Sequence, residues 1–223
     1  MNLNAIFSER VVLDSNTLPW SGSPSAGVQR RLLHREGEEV ARATSIVRYA
    51  PGSQFPRHVH ELGEELFVLD GELQDESGSY GPGTYIRNPA GSAHAPSSVS
   101  GCTLFVKLRQ LDPNDTARVV VRSTQAQWLQ GLVDGLTVLP LAGHETERTA
   151  LVRWAAGTRF KPHRHFGGEE VLVIAGVFED EHGRYRAGAW MRSPHLSVHQ
   201  PFSVEGCTIL VKTGHLPLAA AAD

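Results

Sequence analysis

The sequence is written twice. RVVLDS at Arg10–Ser15 recurs as RVVVRS at Arg118–Ser123, a displacement of 108 positions that Trp20 and Trp128 also keep. From Arg48 onward the displacement is 105, so the connecting loop is three residues shorter in the second copy. Residues 48–107 align with 153–212 without a gap, and 28 of these 60 positions are identical. A repeat of this length is a tandem duplication of one structural unit, and the fold must be built from two copies of it. LDPNDT at Leu111–Thr116 has the Pro, Asn and Asp content of a linker and divides the chain into residues 1–112 and 113–223.

Within each copy the pattern is short strands punctuated by glycine. ATSIVRYAPG sets β-branched residues ahead of a Pro-Gly turn, and EELFVLDGEL is a strand broken at Gly71. DESGSYGPG and its partner DEHGRYRAG carry the Asp, Ser and Gly of a hairpin turn. TYIRNP is a strand closed by Pro89, and CTLFVKL is continuously apolar. No segment among these sustains a helical period, so helix is expected only in short pieces, around Ser123–Gly131 and in the Ala-rich Leu218–Ala222. Short, regularly spaced strands predict an all-β chain of two small barrels in tandem. The starts RVVLDS and RVVVRS are each expected to extend a sheet and cover an otherwise open edge.

Composition removes several classes of function. Lys plus Arg is 21 against 24 Asp plus Glu, a net charge of −3, which offers no broad basic face for nucleic acid. No apolar run approaches the ~18 residues of a membrane span, and MNLNAIFSERVV lacks the basic and apolar segments of a secretory signal. Cys102 and Cys207 hold equivalent places in GCT, form no C-x-x-C pair, and read as small buried core residues without a disulfide between them. A cytoplasmic location with reduced thiols is expected. There is no G-x-S-x-G elbow, phosphate-cradling P-loop or G-x-G-x-x-G after a strand, so nucleophilic hydrolysis and nucleotide chemistry have no support.

The chain has 11 histidines, and six of them are paired by the repeat. The first copy reads G-x5-H-x-H-x3-E-x6-G from Gly52 through His58, His60 and Glu64 to Gly71; the second repeats it through His163, His165 and Glu169. Further on, G-x5-P-x-G-x2-H runs from Gly83 to His94, and its partner ends at His199. Side chains two apart on a strand share a face, at ~7 Å along the backbone, so the two imidazoles of H-x-H can converge on one ion. A glutamate and a third histidine from a later strand complete a mixed site suited to zinc first, with iron, manganese or nickel as alternatives. The full set in both copies predicts up to two divalent metals per chain. Glu65 and Glu170 face the other way by alternation, and read as solvated groups or as supports of the ligands.

These motifs resemble those of the cupin superfamily. The longer phrase GEELFVLDGELQDESGSYGPGTYIRNPAGSAH, followed by GCTLFVK, is similar to the ChrR-like cupin family, named for the sensory C-terminal domain of ChrR-type anti-sigma factors. The resemblance covers nearly the whole chain, twice. It implies two double-stranded β-helix (jelly-roll) barrels, with His58, His60, Glu64 and His94 ligating one metal and His163, His165, Glu169 and His199 a second. It further implies a sensory role in transcription regulation, exercised by binding a small molecule at the metal. ChrR-type factors grip the sigma factor through a helical zinc-binding domain with C-x-x-C spacing; this chain has no such motif, and direct sigma-factor binding is not expected. The second copy has Leu196 where the pattern has Gly91, which is expected to give that turn a different shape.

Three functions are open at this point: a sensory metal cupin, an Fe(II)-type dioxygenase acting on a small chelating substrate, and a protein whose metals only staple the fold. The partner is a small-molecule ligand or substrate, with neither nucleic acid nor membrane, and a homodimer is compatible with the pattern. Arg87 and Arg192 match across the repeat and read as ion-paired or solvated edge residues, with anchoring of an anionic ligand as the alternative. Trp20 and Trp128 are expected to plug barrel ends, Phe55 and Phe160 to line the metal cavity or fill the core. His34, His144, His182 and His215 have no counterparts and read as surface residues.

Overall fold

The computed structural model describes residues 1–218. Strands dominate, and the helix recorded among these residues is a single 3-10 turn at Ser15–Thr17. The stretch 123–131 is a turn leading into the strand Leu129–Gln130, because the backbone must reverse directly after Val119–Arg122. The other expected helix, Leu218–Ala222, lies outside the described residues beyond Leu218. The described residues contain no helix long and apolar enough to cross a membrane.

The chain folds as two compact β units. The first comprises Met1–Ala5 and Thr17–Ala126; the second comprises Ile6–Asn16 and the chain from Gln127 onward. In the first unit an antiparallel sheet runs in the order Asn2–Leu3, Val28–Glu36, Arg42–Tyr49, Cys102–Leu108, Glu64–Gly71, Thr84–Asn88, Val119–Arg122. A smaller sheet, Gly78–Tyr80, Leu73–Asp75, Ser97–Ser98 and Ser53–Gln54, accompanies it, with a short ribbon of His58–Val59 and Ala93–His94. Between them lies a core of Val47, Leu66, Val68, Leu73, Ile86, Leu104 and Val106. The second unit repeats this plan in the order Leu129–Gln130, Leu136–His144, Glu147–Trp154, Cys207–Thr213, Glu169–Asp180, Ala189–Ser193, Val11–Asp14. Its core is built on Val171, Val173, Phe178, Met191 and Ile209. Each fully buried aliphatic or aromatic side chain of this kind contributes about 1.5–3 kcal/mol.

The last strand of each sheet comes from the start of the other repeat. Val11–Asp14 pairs with Ala189–Ser193 in the register Val11↔Arg192 to Asp14↔Ala189. Val119–Arg122 pairs with Thr84–Asn88 in the register Thr84↔Arg122 to Arg87↔Val119. The same closing bond ends both ladders, Ser15 N–H to the Gly188 carbonyl at 3.0 Å and Ser123 N–H to the Gly83 carbonyl at 3.1 Å. Both strands therefore cover a sheet edge, and a cut between 112 and 113 parts each strand from the sheet it completes. Leu111 and Asp115 of the LDPNDT segment are buried, so that segment is packed chain.

The incoming segments also satisfy buried charge. Arg87, 1% exposed, is ion-paired with Asp115. Arg192, also 1% exposed, donates to the Ile6 carbonyl at 3.0 Å and lies over the Phe7 ring at 4.6 Å. Trp20 stacks on the guanidiniums of Arg31 and Arg48, each 4.3 Å away, and Trp128 on Arg153 at 3.6 Å; neither is among the core residues that would plug a barrel. Cys102 and Cys207 are buried and free, and burial pushes the Cys207 thiol up to about 11.

Two surface expectations are corrected, and one pair of alternatives is narrowed. His34 is buried in a strand of the first unit, near Glu36 at 3.2 Å. His215 is buried against Glu170, with Nε2 to Oε2 at 3.2 Å. Glu65 and Glu170 are 3% and 5% exposed; Glu65 accepts from the Tyr85 hydroxyl, and Glu170 from Trp190 Nε1 at 2.8 Å. Burial thus removes the solvated reading of Glu65 and Glu170 and leaves that of groups supporting the ligands.

Candidate metal centres

The ribbons Ala93–His94 with His58–Val59, and Val198–His199 with His163–Arg164, place His94 opposite His58 and His199 opposite His163. Tight turns then bring His60 and His165 alongside. Gly91 N–H donates to the His60 carbonyl at 2.8 Å, and Leu196 N–H to the His165 carbonyl at 2.8 Å. Leu196 takes φ 64°, close to the 80° of Gly91, so the turn keeps its shape despite the leucine. The reason is spatial: a Cβ added at Gly91 would meet nothing within 4 Å, and Leu196 is 44% exposed.

The structure brings together His58, His60, Glu64 and His94 in one cluster and His163, His165, Glu169 and His199 in the other. In each, the donor atoms lie within 4.8 Å of one another. Glu64 Oε2 is 3.4 Å from Nε2 of both His60 and His94; Glu169 Oε2 is 3.6 Å from Nε2 of both His165 and His199. His58 and His163 direct Nδ1 to the carbonyls of Pro56 and Lys161, at 2.9 and 3.1 Å, which leaves their Nε2 atoms facing the cluster.

Electrostatics agree with neutral imidazoles at His60, His94, His163 and His165, which burial pulls down, whereas at His199 burial is outweighed by Asp180, Glu169 and Glu181 and the value is raised. Burial, with the neighbouring histidines, pulls His60 and His165 down to about 3. Burial pushes Glu64 and Glu169 up to about 7, opposed at Glu64 by a 3.0 Å hydrogen bond from Asn88 Nδ2. The Nε2 atoms of His60, His94, His165 and His199 are buried without a hydrogen-bond partner, as is Oε2 of Glu169. Each such atom costs about 1–3 kcal/mol if left unsatisfied, and one divalent cation at the centre would satisfy a whole cluster. Three imidazoles and a carboxylate suit Zn, Fe, Mn or Ni.

Sequence reading passed over the residues behind these ligands. Asp75 Oδ2 lies 3.3 Å from His94 Nδ1, and Asp180 Oδ2 lies 3.7 Å from His199 Nδ1. Tyr80 donates to Asp75 Oδ1 at 2.9 Å and Tyr185 to Asp180 Oδ1 at 2.8 Å. Both pairs recur in register in DESGSY and DEHGRY, a signal that was absorbed into a turn. Phe55 and Phe160 stand edge-on to His58 and His163 at 5.1 Å and line the cavities.

The cavities themselves differ. The first opens on His58, His60, Glu64 and His94 and measures about 350 Å³; the second, at His163, Glu169 and His199, measures about 180 Å³. Tyr49 and Leu73 line the first, and their counterparts Trp154 and Phe178 fill the second. Arg30 and Arg109 edge the first cavity, where the second unit has Val138 and Gly214.

The sequence profile of the ChrR cupin-like domain matches the chain over residues 8–112 and again over 116–217. Curated proteins give no match. Among solved structures, a candidate dioxygenase from Nostoc punctiforme superposes with a TM-score of 0.80 at 16% identity, over 97% of this chain and 86% of that one. The Ylba protein of E. coli does so with a TM-score of 0.73 at 15% identity, over 96% and 94%. An oxalate decarboxylase from Lactobacillus farciminis gives 0.63 at 13% identity, over 94% and 87%. Likeness at such identities speaks for the fold, whereas the profile matches take in both repeats: the chain belongs to the ChrR cupin-like family, as an all-β protein with two cupin domains in tandem.

Proposed function

We propose that this chain binds a small molecule at a divalent metal in its first barrel, and that the second barrel holds a metal with little room beside it. His58, His60, Glu64 and His94 would hold the first ion, and His163, His165, Glu169 and His199 the second. A metal so held supplies Lewis-acid or redox chemistry to whatever enters beside it. The observation that carries the reading is the cavity of about 350 Å³ against about 180 Å³. Its walls of Leu66, Leu104 and Val106, with Tyr49 and Phe55, suit a chelating head on a compact apolar body. The family resemblance supports a sensory purpose, that of a regulatory protein reporting a small ligand.

A second reading, a dioxygenase using iron, is favoured by the likeness to the candidate dioxygenase. Elemental analysis of protein purified without added metal separates the two: zinc supports sensing, iron supports oxygenation. Calorimetric titration of metal-loaded protein with catechol and benzohydroxamate tests the shared part. His60→Ala should abolish binding and His165→Ala should leave it intact; loss in the second variant alone would overturn the assignment of the ligand site to the first barrel.

A further inference from the structure

Behind each cluster an arginine carried in by the exchanged strand reaches the aspartate that faces a candidate ligand. In the second unit Arg10 Nη2 donates to Asp180 Oδ2 at 2.9 Å and to Tyr185 Oη at 2.8 Å. In the first unit Arg118 Nη2 donates to Tyr80 Oη at 2.9 Å and stands 4.0 Å from Asp75 Oδ2. Arg10 and Arg118 are equivalent across the repeat, yet each serves the barrel of the other copy.

The distances vary in opposition. Where the arginine is bonded to Oδ2, the histidine stands off at 3.7 Å; where it is held back at 4.0 Å, the histidine comes to 3.3 Å. One carboxylate oxygen serves both donors, and the tyrosine on Oδ1 fixes the carboxylate plane.

We infer that Arg10 and Arg118 are positioning residues for the metal centres: through Asp180 with Tyr185, and through Asp75 with Tyr80, they set the orientation of His199 and His94. This rests on the metal-site reading above. The supports of ligating histidines fix ring orientation, and their loss costs about 10–100-fold in metal affinity. Each centre thus depends on a residue from the other repeat, and the arginine's contact makes the second centre's Asp–His link looser than the first.

The test is cobalt(II) titration of metal-free protein, read by d–d absorption, in a His165→Ala parent so that the first centre reports alone. Arg118→Ala should weaken cobalt binding about tenfold and shift the d–d bands, and Tyr80→Phe should do so in the same direction. Arg122→Ala is the control, since Arg122 ends the strand that Arg118 precedes, stands 5.9 Å over the Tyr80 ring, and donates to the Ser79 carbonyl. It should keep the parent's affinity and spectrum. Parent-like behaviour of both Arg118→Ala and Tyr80→Phe would overturn the inference, as would equal changes in Arg122→Ala, which would assign the effect to strand attachment. A parent that takes up no cobalt would instead overturn the metal-site reading, and the inference with it.

Discussion

Leu196 occupies the left-handed turn that Gly91 occupies in the other unit, at φ 64° against 80°, with the same 2.8 Å hydrogen bond to the carbonyl of the H-x-H histidine. A residue with a Cβ pays about 1–2 kcal/mol for that backbone. The turn persists because the space around it is open and its bond to the His165 carbonyl, which Gly168 N–H shares at 3.3 Å, ties it to the H-x-H segment. The second centre is therefore held under local strain that the first avoids.

Leu196→Gly should accordingly relieve about 1–2 kcal/mol of strain, less what the leucine, 44% exposed, gives up in partial burial, a net gain of at most ~1 kcal/mol. Thermal unfolding should show the midpoint rising by at most about 2–4 °C. A lower midpoint would mean that the leucine side chain carries packing that outweighs the strain.

The converse holds where space is absent. A Cβ at Gly71, φ 72°, would sit 2.1 Å from the Gly101 carbonyl oxygen and 2.7 Å from Cys102 Cα. Gly71→Ala should cost about 2–4 kcal/mol from strain and overlap together. Urea unfolding should show the loss; a cost under 1 kcal/mol would show that the Gly71–Cys102 ladder can shift.

Filling the first cavity with the second unit's side chains should separate metal from ligand. Tyr49→Trp with Leu73→Phe is expected to leave the metal content unchanged while abolishing catechol binding. Metal analysis beside calorimetric titration reads both. Retained catechol affinity would place the ligand outside this cavity.

The metal-free protein should be acid-sensitive in a defined window. His60 and His165 are held near 3 in the fold against an unfolded value near 6.5, so the unfolded chain binds more protons between those values and stability falls as pH drops through them. Glu64 and Glu169, raised to about 7, act in the opposite sense: their burial costs stability as pH rises from about 4.5 to 7. The two effects offset each other between about 4.5 and 6.5, leaving the histidine loss exposed below about 4.5. Urea unfolding of metal-free His60→Gln/His165→Gln should show a shallower fall between pH 4.5 and 3 than the parent. Equal slopes would assign acid sensitivity to other groups.

Much of this was legible because the chemistry is local. H-x-H, the glutamate four residues on and the later histidine are each fixed by strand alternation and turn geometry, and the repeat showed them twice. Which sheet takes RVVLDS and which takes RVVVRS was not legible, since two such similar strands fit either edge by pattern alone. Arg10 and Arg118 went unnoticed for that reason, as their partners follow from the exchange. The burial of Glu65, Glu170 and His215 was hidden similarly: alternation tells which face a side chain takes, and it says nothing of what covers that face. Leu196 misled in the other direction, because propensity counts the strain and omits the hydrogen bond that holds it.

The exchanged strands have an evolutionary consequence. Once each copy of a duplicated domain carries the closing edge of its sibling, neither can be discarded, however little chemistry it retains. Deleting the second copy would strip Val119–Arg122 from the first sheet and leave Tyr80 without Arg118. A barrel whose cavity Trp154 and Phe178 narrow to about 180 Å³ is thus preserved as the indispensable half of a pair, whatever its own site does.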